Sequence, residues 1–346
     1  MGYMGQYIAE EMAAEYRSGR ISYRELLRRF TLRTGSAVTA MTLAVSLGCS
    51  SSSTPPPSAA PTSTIAATVA ATATAAPLPS ATATTAPTAA PGPTTAPSIT
   101  ATALPRGVTI PPDDPSIQAG DVTFKNGDIT LMGYLARPRD ASPHPAVLVI
   151  HENRGLVPPH YQDIARRLAK EGYVALSLDL LSREGGTATF TDTGRASATL
   201  GQASQTRLAD DMNGGVRYLQ GLSFVRSDRV GAMGFCFGGG MVWLLCTKNP
   251  DIKAAVPFYG PAPTLSDVPN IRAAVLGLYG ANDNFINPGV PALDSALTQN
   301  NKAHKFVTYP GAGHAFFNDT GGAYNATAAE GAWRETLAWF NQYLKG

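Results

Sequence analysis

The chain of 346 residues carries a formal net charge of +2, with 15% of its residues charged and 44% hydrophobic. That is enough apolar material for a sizeable globular core, and the near-neutral balance excludes a basic face for nucleic acid or an acidic solvating tail. Three cysteines, Cys49, Cys236 and Cys246, are too few and too scattered for a disulfide framework, and none forms a zinc-type pair, so no metal or cofactor is expected.

Residues 1–49 read as an export address. A basic stretch from Arg24 to Phe30 precedes a weakly apolar run, Ala37 to Leu47, that is too short to span a bilayer. The run ends in Ser46-Leu47-Gly48-Cys49, which resembles a lipoprotein processing box, with Ser46 where Leu is usual. Cys49 would then carry a lipid and tether the protein outside the cytoplasm. The other reading is a cytoplasmic amphipathic helix over Ile8 to Arg33 with a buried Cys49. Residues 50–116 read as a linker: from Ser50 to Pro105 the chain is almost wholly Ser, Thr, Ala and Pro, without a charge before Arg106. Such a segment buries too little apolar surface to offset its conformational entropy.

From residue 117 to 346 strand and helix periods alternate. Asp121 to Lys125 and Ile129 to Ala136 flank Asn126-Gly127, a hairpin signal. Apolar runs of strand length follow at Ala146 to Ile150, Val174 to Leu178, Val230 to Met233, Ala254 to Tyr259, Ala274 to Tyr279 and Lys305 to Tyr309. Helical periods lie between and after them, at Tyr161 to Lys170, Arg207 to Gln220, Phe237 to Cys246, Pro291 to Asn300 and Ala328 to Leu344. Near-continuous hydrophobicity means strands buried on both faces. The pattern is an α/β fold: a doubly wound, mostly parallel sheet opened by an antiparallel hairpin, with helices on both faces. Gly185 to Thr206, rich in small residues, reads as a cap.

In open α/β sheets reactive groups gather beyond the carboxyl ends of the strands. Gly234-Phe235-Cys236-Phe237-Gly238-Gly239 joins a strand to a helix and fits a nucleophile elbow, with Cys236 at its centre and a helix N-terminus to favour the thiolate. Cys246, well inside that helix, reads as core. His314, in Gly313-His314-Ala315 after the last strand, is the candidate general base, and Asp283, in Gly280-Ala281-Asn282-Asp283, the carboxylate that orients it. The order nucleophile, acid, histidine is that of the α/β-hydrolase fold. His151-Glu152-Asn153-Arg154-Gly155 follows another strand. The Asn153 and Phe237 amides would form an oxyanion hole, and Glu152 would bias the protons of the site or pair with Arg154.

Together these residues resemble the dienelactone hydrolase (carboxymethylenebutenolidase) family over the whole of 117–346. The resemblance implies a carboxylic ester or lactone hydrolase with a Cys236-His314-Asp283 triad and an acyl-thioester intermediate. It also implies that Glu152 governs when the thiolate forms. Dienelactone-cleaving members place an arginine four residues after the histidine to hold the substrate carboxylate; here that position is Asn318, and Arg154, Arg195 or Arg207 are left to supply an arginine. The expected partner is a small ester or lactone met by a monomer. The competing expectation is a retired hydrolase fold that binds a ligand at the cell envelope.

Overall fold

The computed structural model describes residues 107–346, 21–47 and 49, and residues 9, 12, 13, 15–17 and 19. The expected linker therefore lies outside the described residues up to 106. Strand β1 (Ile117–Asn126) and strand β2 (Ile129–Pro138) form the expected hairpin around Asn126-Gly127, with Gly127 at φ 60° taking the left-handed turn. Strands β3 (His144–Ile150), β4 (Val174–Asp179), β5 (Val225–Phe235), β6 (Ile252–Phe258), β7 (Ala274–Gly280) and β8 (His304–Tyr309) complete one sheet in the order β1-β2-β4-β3-β5-β6-β7-β8. β1 and β2 are antiparallel, β2 joins β4 antiparallel, and every later pairing is parallel. The order turns back at β3, so its carboxyl end and that of β5 flank the switch point where such sheets hold their ligands.

The central strands β4 and β7 are buried throughout and β3 from Pro145 onward, as their continuous apolar runs require. Strand β8, expected to be buried on both faces, is instead the edge strand and has no buried residue, because no described strand pairs beyond it. A side chain at Gly231 would meet Leu344 and Phe340, and one at Gly234 would meet Val242. Three residues apart on a strand, the two positions face opposite ways, so helices cover both sides of the sheet. Helix α6 (Phe237–Lys248) is apolar all round, which suits its burial on every side, including Trp243 at 0% exposure. Helices α3 (His160–Lys170), α5 (Gln205–Gln220), α7 (Val290–Gln299) and α8 (Ala326–Phe340) match the expected periods to within a few residues. Within the expected cap lies helix α4 (Thr193–Gln202), started by the Asp192 carboxylate on the Gly194 amide.

The N-terminal segment packs on this body. Helix α1 (Tyr23–Thr34) is capped by the Ser22 hydroxyl on the Glu25 amide and closed by Gly35 at φ 69°. Helix α2 (Ala37–Ser46) contains most of the expected apolar run. It buries Ala40 and Ala44 and leaves Val38, Met41 and Val45 exposed. Met12, Ala13, Tyr16, Leu26 and Phe30 are buried, and so is Cys49, at 1% exposure. Arg28 pairs with Asp192 at the start of α4, and Gln202 at its end donates to the Leu32 carbonyl. The last ten residues of the expected linker, 107–116, are docked as well, with the Thr109 and Ile110 amides donating to Asp163 in α3.

Candidate active site

The strand ends bring the expected residues to one edge of the sheet. Ile150 pairs with Gly234, Phe235 with Phe258 and Gly280 with Tyr309. The loop 151–154, the Cys236 turn and the loops carrying Asp283 and His314 therefore leave the sheet side by side. Cys236 sits between β5 and α6 at φ 56°, ψ −118°, a conformation costly for any residue with a Cβ. Its amide donates to the Phe258 carbonyl, and its carbonyl accepts from the Gly240 amide. The flanking glycines are forced by close backbone: a Cβ at Gly234 would lie 2.3 Å from the Gly238 carbonyl oxygen, and one at Gly238 would lie 2.3 Å from that of Ile150. Phe237 opens α6, so its amide is one of the four that a helix leaves without an intrahelical acceptor. Cys236 is 2% exposed and Cys246 fully buried, where burial pushes the Cys246 thiol up to about 12.

His314 Nδ1 lies 2.7 Å from Asp283 Oδ2. Asp283 is 2% exposed, and its other oxygen accepts from the Phe285 and Ile286 amides at 3.3 and 3.1 Å. The carboxylate is thus fixed by its own turn before it meets the imidazole. His314 itself remains partly exposed, edge-on to Tyr259 with ring centres 5.1 Å apart.

Glu152 is the hub of a second network. Its Oε2 accepts from Asn318 Nδ2 at 3.0 Å, its Oε1 from the Tyr259 hydroxyl at 3.4 Å, and its own amide donates to the Tyr161 hydroxyl at 3.0 Å. Burial pushes both phenols well above their usual range, and the neighbouring Glu152 carboxylate pushes the same way, so both tyrosines stay protonated. Asn318 Oδ1 is engaged by the Thr320 amide and hydroxyl, which orients the amide toward Glu152. His151 holds the loop in place. Fully buried, it accepts the Leu180 amide at Nε2 and places Nδ1 2.6 Å from the Glu152 carbonyl oxygen. Burial lowers its pKa, which keeps it the neutral spacer of this loop.

Glu152, Asn153, Arg154, Asp283, His314 and Asn318 line a cavity of about 750 Å³, and Cys236 is buried outside its lining. Asn153 is 8% exposed, its carbonyl held by the Ser197 hydroxyl of α4 at 2.9 Å. Of the arginines considered from sequence, Arg154 lines the cavity and pairs with Glu15 at 2.7 Å. Arg207 is turned to Glu184 at 2.6 Å and lies outside the lining, as does Arg195. The remaining histidines pair elsewhere: His144 with Asp140, His160 with Asp319 and His304 with Asp294.

Sequence reasoning missed Tyr259, Tyr161, Glu15 and Arg17. Tyr259 directly follows β6 and, at φ 36°, shares the strained strand-end backbone of Cys236, so the rule that found the other loops applied to it. Nothing in the order of residues links Glu15 or Arg17 to a cavity built after residue 150.

The family model of the dienelactone hydrolase family matches residues 131–344. A Methylorubrum extorquens protein provisionally named carboxymethylenebutenolidase is 34% identical over 68% of this chain and 84% of its own length. An Escherichia coli protein of the same provisional name is 34% identical over 70% of this chain and 93% of its own. The crystal structure of a provisional dienelactone hydrolase from Klebsiella pneumoniae superposes with a TM-score of 0.61 at 32% identity, over 66% of this chain and 99% of that one.

Proposed function

Because this chain belongs to the dienelactone hydrolase family, we propose that it hydrolyses carboxylic esters or lactones with Cys236 as nucleophile, His314 as acid and base, and Asp283 as the group that orients His314. His314 takes the thiol proton of Cys236 at Nε2, the thiolate adds to the carbonyl carbon, and the oxyanion that develops is received by the Phe237 amide at the head of α6 and the Asn153 amide. Collapse of the tetrahedral intermediate breaks the ester C–O bond and leaves an acyl thioester, while His314 gives its proton to the departing alkoxide. Water then attacks the thioester, His314 takes its proton, and the carboxylic acid departs as the C–S bond breaks. Throughout, Asp283 holds Nδ1, so proton traffic runs through Nε2.

The observation that carries this reading is the backbone of Cys236, held at φ 56° at the head of a helix between two glycines that cannot bear a side chain. A merely packed cysteine has no need of that strain. The substrate is left broad. Asn318, where a carboxylate-binding arginine would stand, donates to Glu152, so the reading extends to esters and lactones in general. Turnover of 4-nitrophenyl acetate tests it: Cys236→Ala is expected to lose at least about 10³-fold in kcat at unchanged fold. Equal turnover by the two proteins would overturn the mechanism.

A further inference from the structure

Two charged residues of the N-terminal segment stand in the wall of the active-site cavity. Glu15 and Arg17 line the same space as Glu152, Asn153, Asp283 and His314. Glu15 is gripped from two sides, Oε2 by Arg29 Nη1 at 2.6 Å and Oε1 by Arg154 Nη2 at 2.7 Å. Arg29 also binds Glu25 at 2.8 Å, which ties Glu15 to α1, and Arg17 Nη1 donates to the Leu47 carbonyl at 2.9 Å. The neighbours Met12, Ala13 and Tyr16 are buried, so the residues that carry these charges are seated on the body of the protein.

Arg154 is the guanidinium next to Asn153 at the mouth of the cavity, and a guanidinium is the side chain best shaped to grip a carboxylate. It already has one, and this chain supplies it. We infer that Glu15 is a built-in competitor for substrate carboxylates: by engaging Arg154 it sets the enzyme against anionic esters, and the N-terminal segment forms the wall that makes this selection. A tethered carboxylate acts at an effective concentration of millimolar or above, so a dilute anionic substrate displaces it poorly. A neutral acyl chain needs no grip from Arg154 and is not selected against. The inference rests on the proposed hydrolase activity at this site.

The test uses the full chain and two esters of equal length, 4-nitrophenyl hexanoate and mono-4-nitrophenyl adipate, which differ in the terminal carboxylate. Glu15→Gln, isosteric and uncharged, is expected to lower KM for the adipate ester about tenfold and for the hexanoate ester less than twofold. Adding Arg154→Gln is expected to return the adipate KM to the wild-type range or above. KM does not depend on the fraction of folded enzyme, so partial loss of protein does not mask the result. Hexanoate turnover with an unchanged adipate-to-hexanoate KM ratio in Glu15→Gln would overturn the role of Glu15 and leave the hydrolase reading standing. No turnover of either ester by wild type or variants would overturn both.

Discussion

At the scale of single residues, the sharpest consequence concerns Asp283. One oxygen accepts two backbone amides and the other meets His314 Nδ1. In Asp283→Asn the side-chain oxygen stays with the Phe285 and Ile286 amides, because two donors fix it there. The new NH2 then faces Nδ1, which must turn to accept, and the imidazole proton moves to Nε2, the nitrogen that has to take one. Little volume changes, so the fold is expected to hold while kcat drops by about 10⁴-fold, the size of this tautomer effect in serine triads. Steady-state kinetics on an aryl ester beside an unchanged circular dichroism spectrum checks it, and a loss below tenfold would show that Asp283 does not orient the base. Asp283 and His314 were legible in sequence because each lies in a short turn just past the carboxyl end of a strand, the buried β7 and the half-exposed edge strand β8. Glu152 was legible as a nearby carboxylate but its company was not: Tyr161 and Tyr259 reach it from a helix start and another strand end, and no spacing in the sequence encodes their meeting. Asn318 was legible as a departure from an arginine, whereas its grip on Glu152 required coordinates.

At the scale of elements, the strands were the easiest to read, since short buried runs of apolar residues have few other uses. Helix α4 escaped because Thr-Gly-Arg-Ala-Ser-Ala-Thr-Leu-Gly-Gln is built of small residues that bury without an apolar stripe, Gly194, Ala196, Ser197 and Ala198 among them. The contact of α4 with α1 was equally hidden, as it depends on Arg28 bridging Glu25 and Asp192. Hydrogen bonds from Arg28 hold both carboxyls well below their ordinary range, at about 2 against 4.5 for Glu25 and 3.8 for Asp192. Because the folded values are depressed, this clamp is complete above pH about 4.5 and is lost as pH falls through about 2. All three side chains are partly exposed, so solvent screens the pair and its contribution is small beside the core. Amide exchange, corrected for its intrinsic pH dependence, should therefore show α1 modestly less protected near pH 2.5 than at pH 6 while α6 changes little. Arg28→Gln is expected to remove that pH difference, and a wild-type α1 equally protected at both pH values would rule the clamp out. Cleavage before Cys49, the expected processing point, would remove Arg28 and Glu15 together, so the clamp and the competitor for Arg154 belong to the same stretch of chain.

At the scale of the whole molecule, the folded body starts earlier than residue 117, where the sequence pattern begins. Residues 107–116 hold Pro111, Pro112 and Pro115 and show no apolar period, so they read as linker. Beside the Asp114–Lys170 pair at 3.1 Å and Ile110 against the core, their docking runs through backbone groups, which carry no side-chain signature. The Thr109 and Ile110 amides donate to Asp163 Oδ1 at 2.7 and 2.8 Å, and Arg166 Nε donates to the Ile110 carbonyl at 2.6 Å. Asp163 and Arg166 are 2% and 1% exposed and lie 3.5 Å apart, with the guanidinium over the Tyr134 ring and its Nη1 on the Tyr134 hydroxyl. A buried ion pair is tolerable only while its remaining hydrogen bonds are made. Cutting the chain at 117 removes two amide donors from a buried carboxylate and one carbonyl acceptor from a buried guanidinium, at about 1.5–3 kcal/mol for each such charged bond, less what entering water restores. Residues 117–346 are therefore expected to be less stable than residues 107–346 by about 2–4 kcal/mol, read as a lower urea midpoint in the same buffer. Both pieces lack the N-terminal segment, so the difference isolates the ten residues. The loss should shrink when Asp163→Asn and Arg166→Met are placed in both, because neutral groups need those partners less. Equal midpoints for the two unsubstituted pieces would mean that 107–116 only lies along the surface and that the body begins with β1.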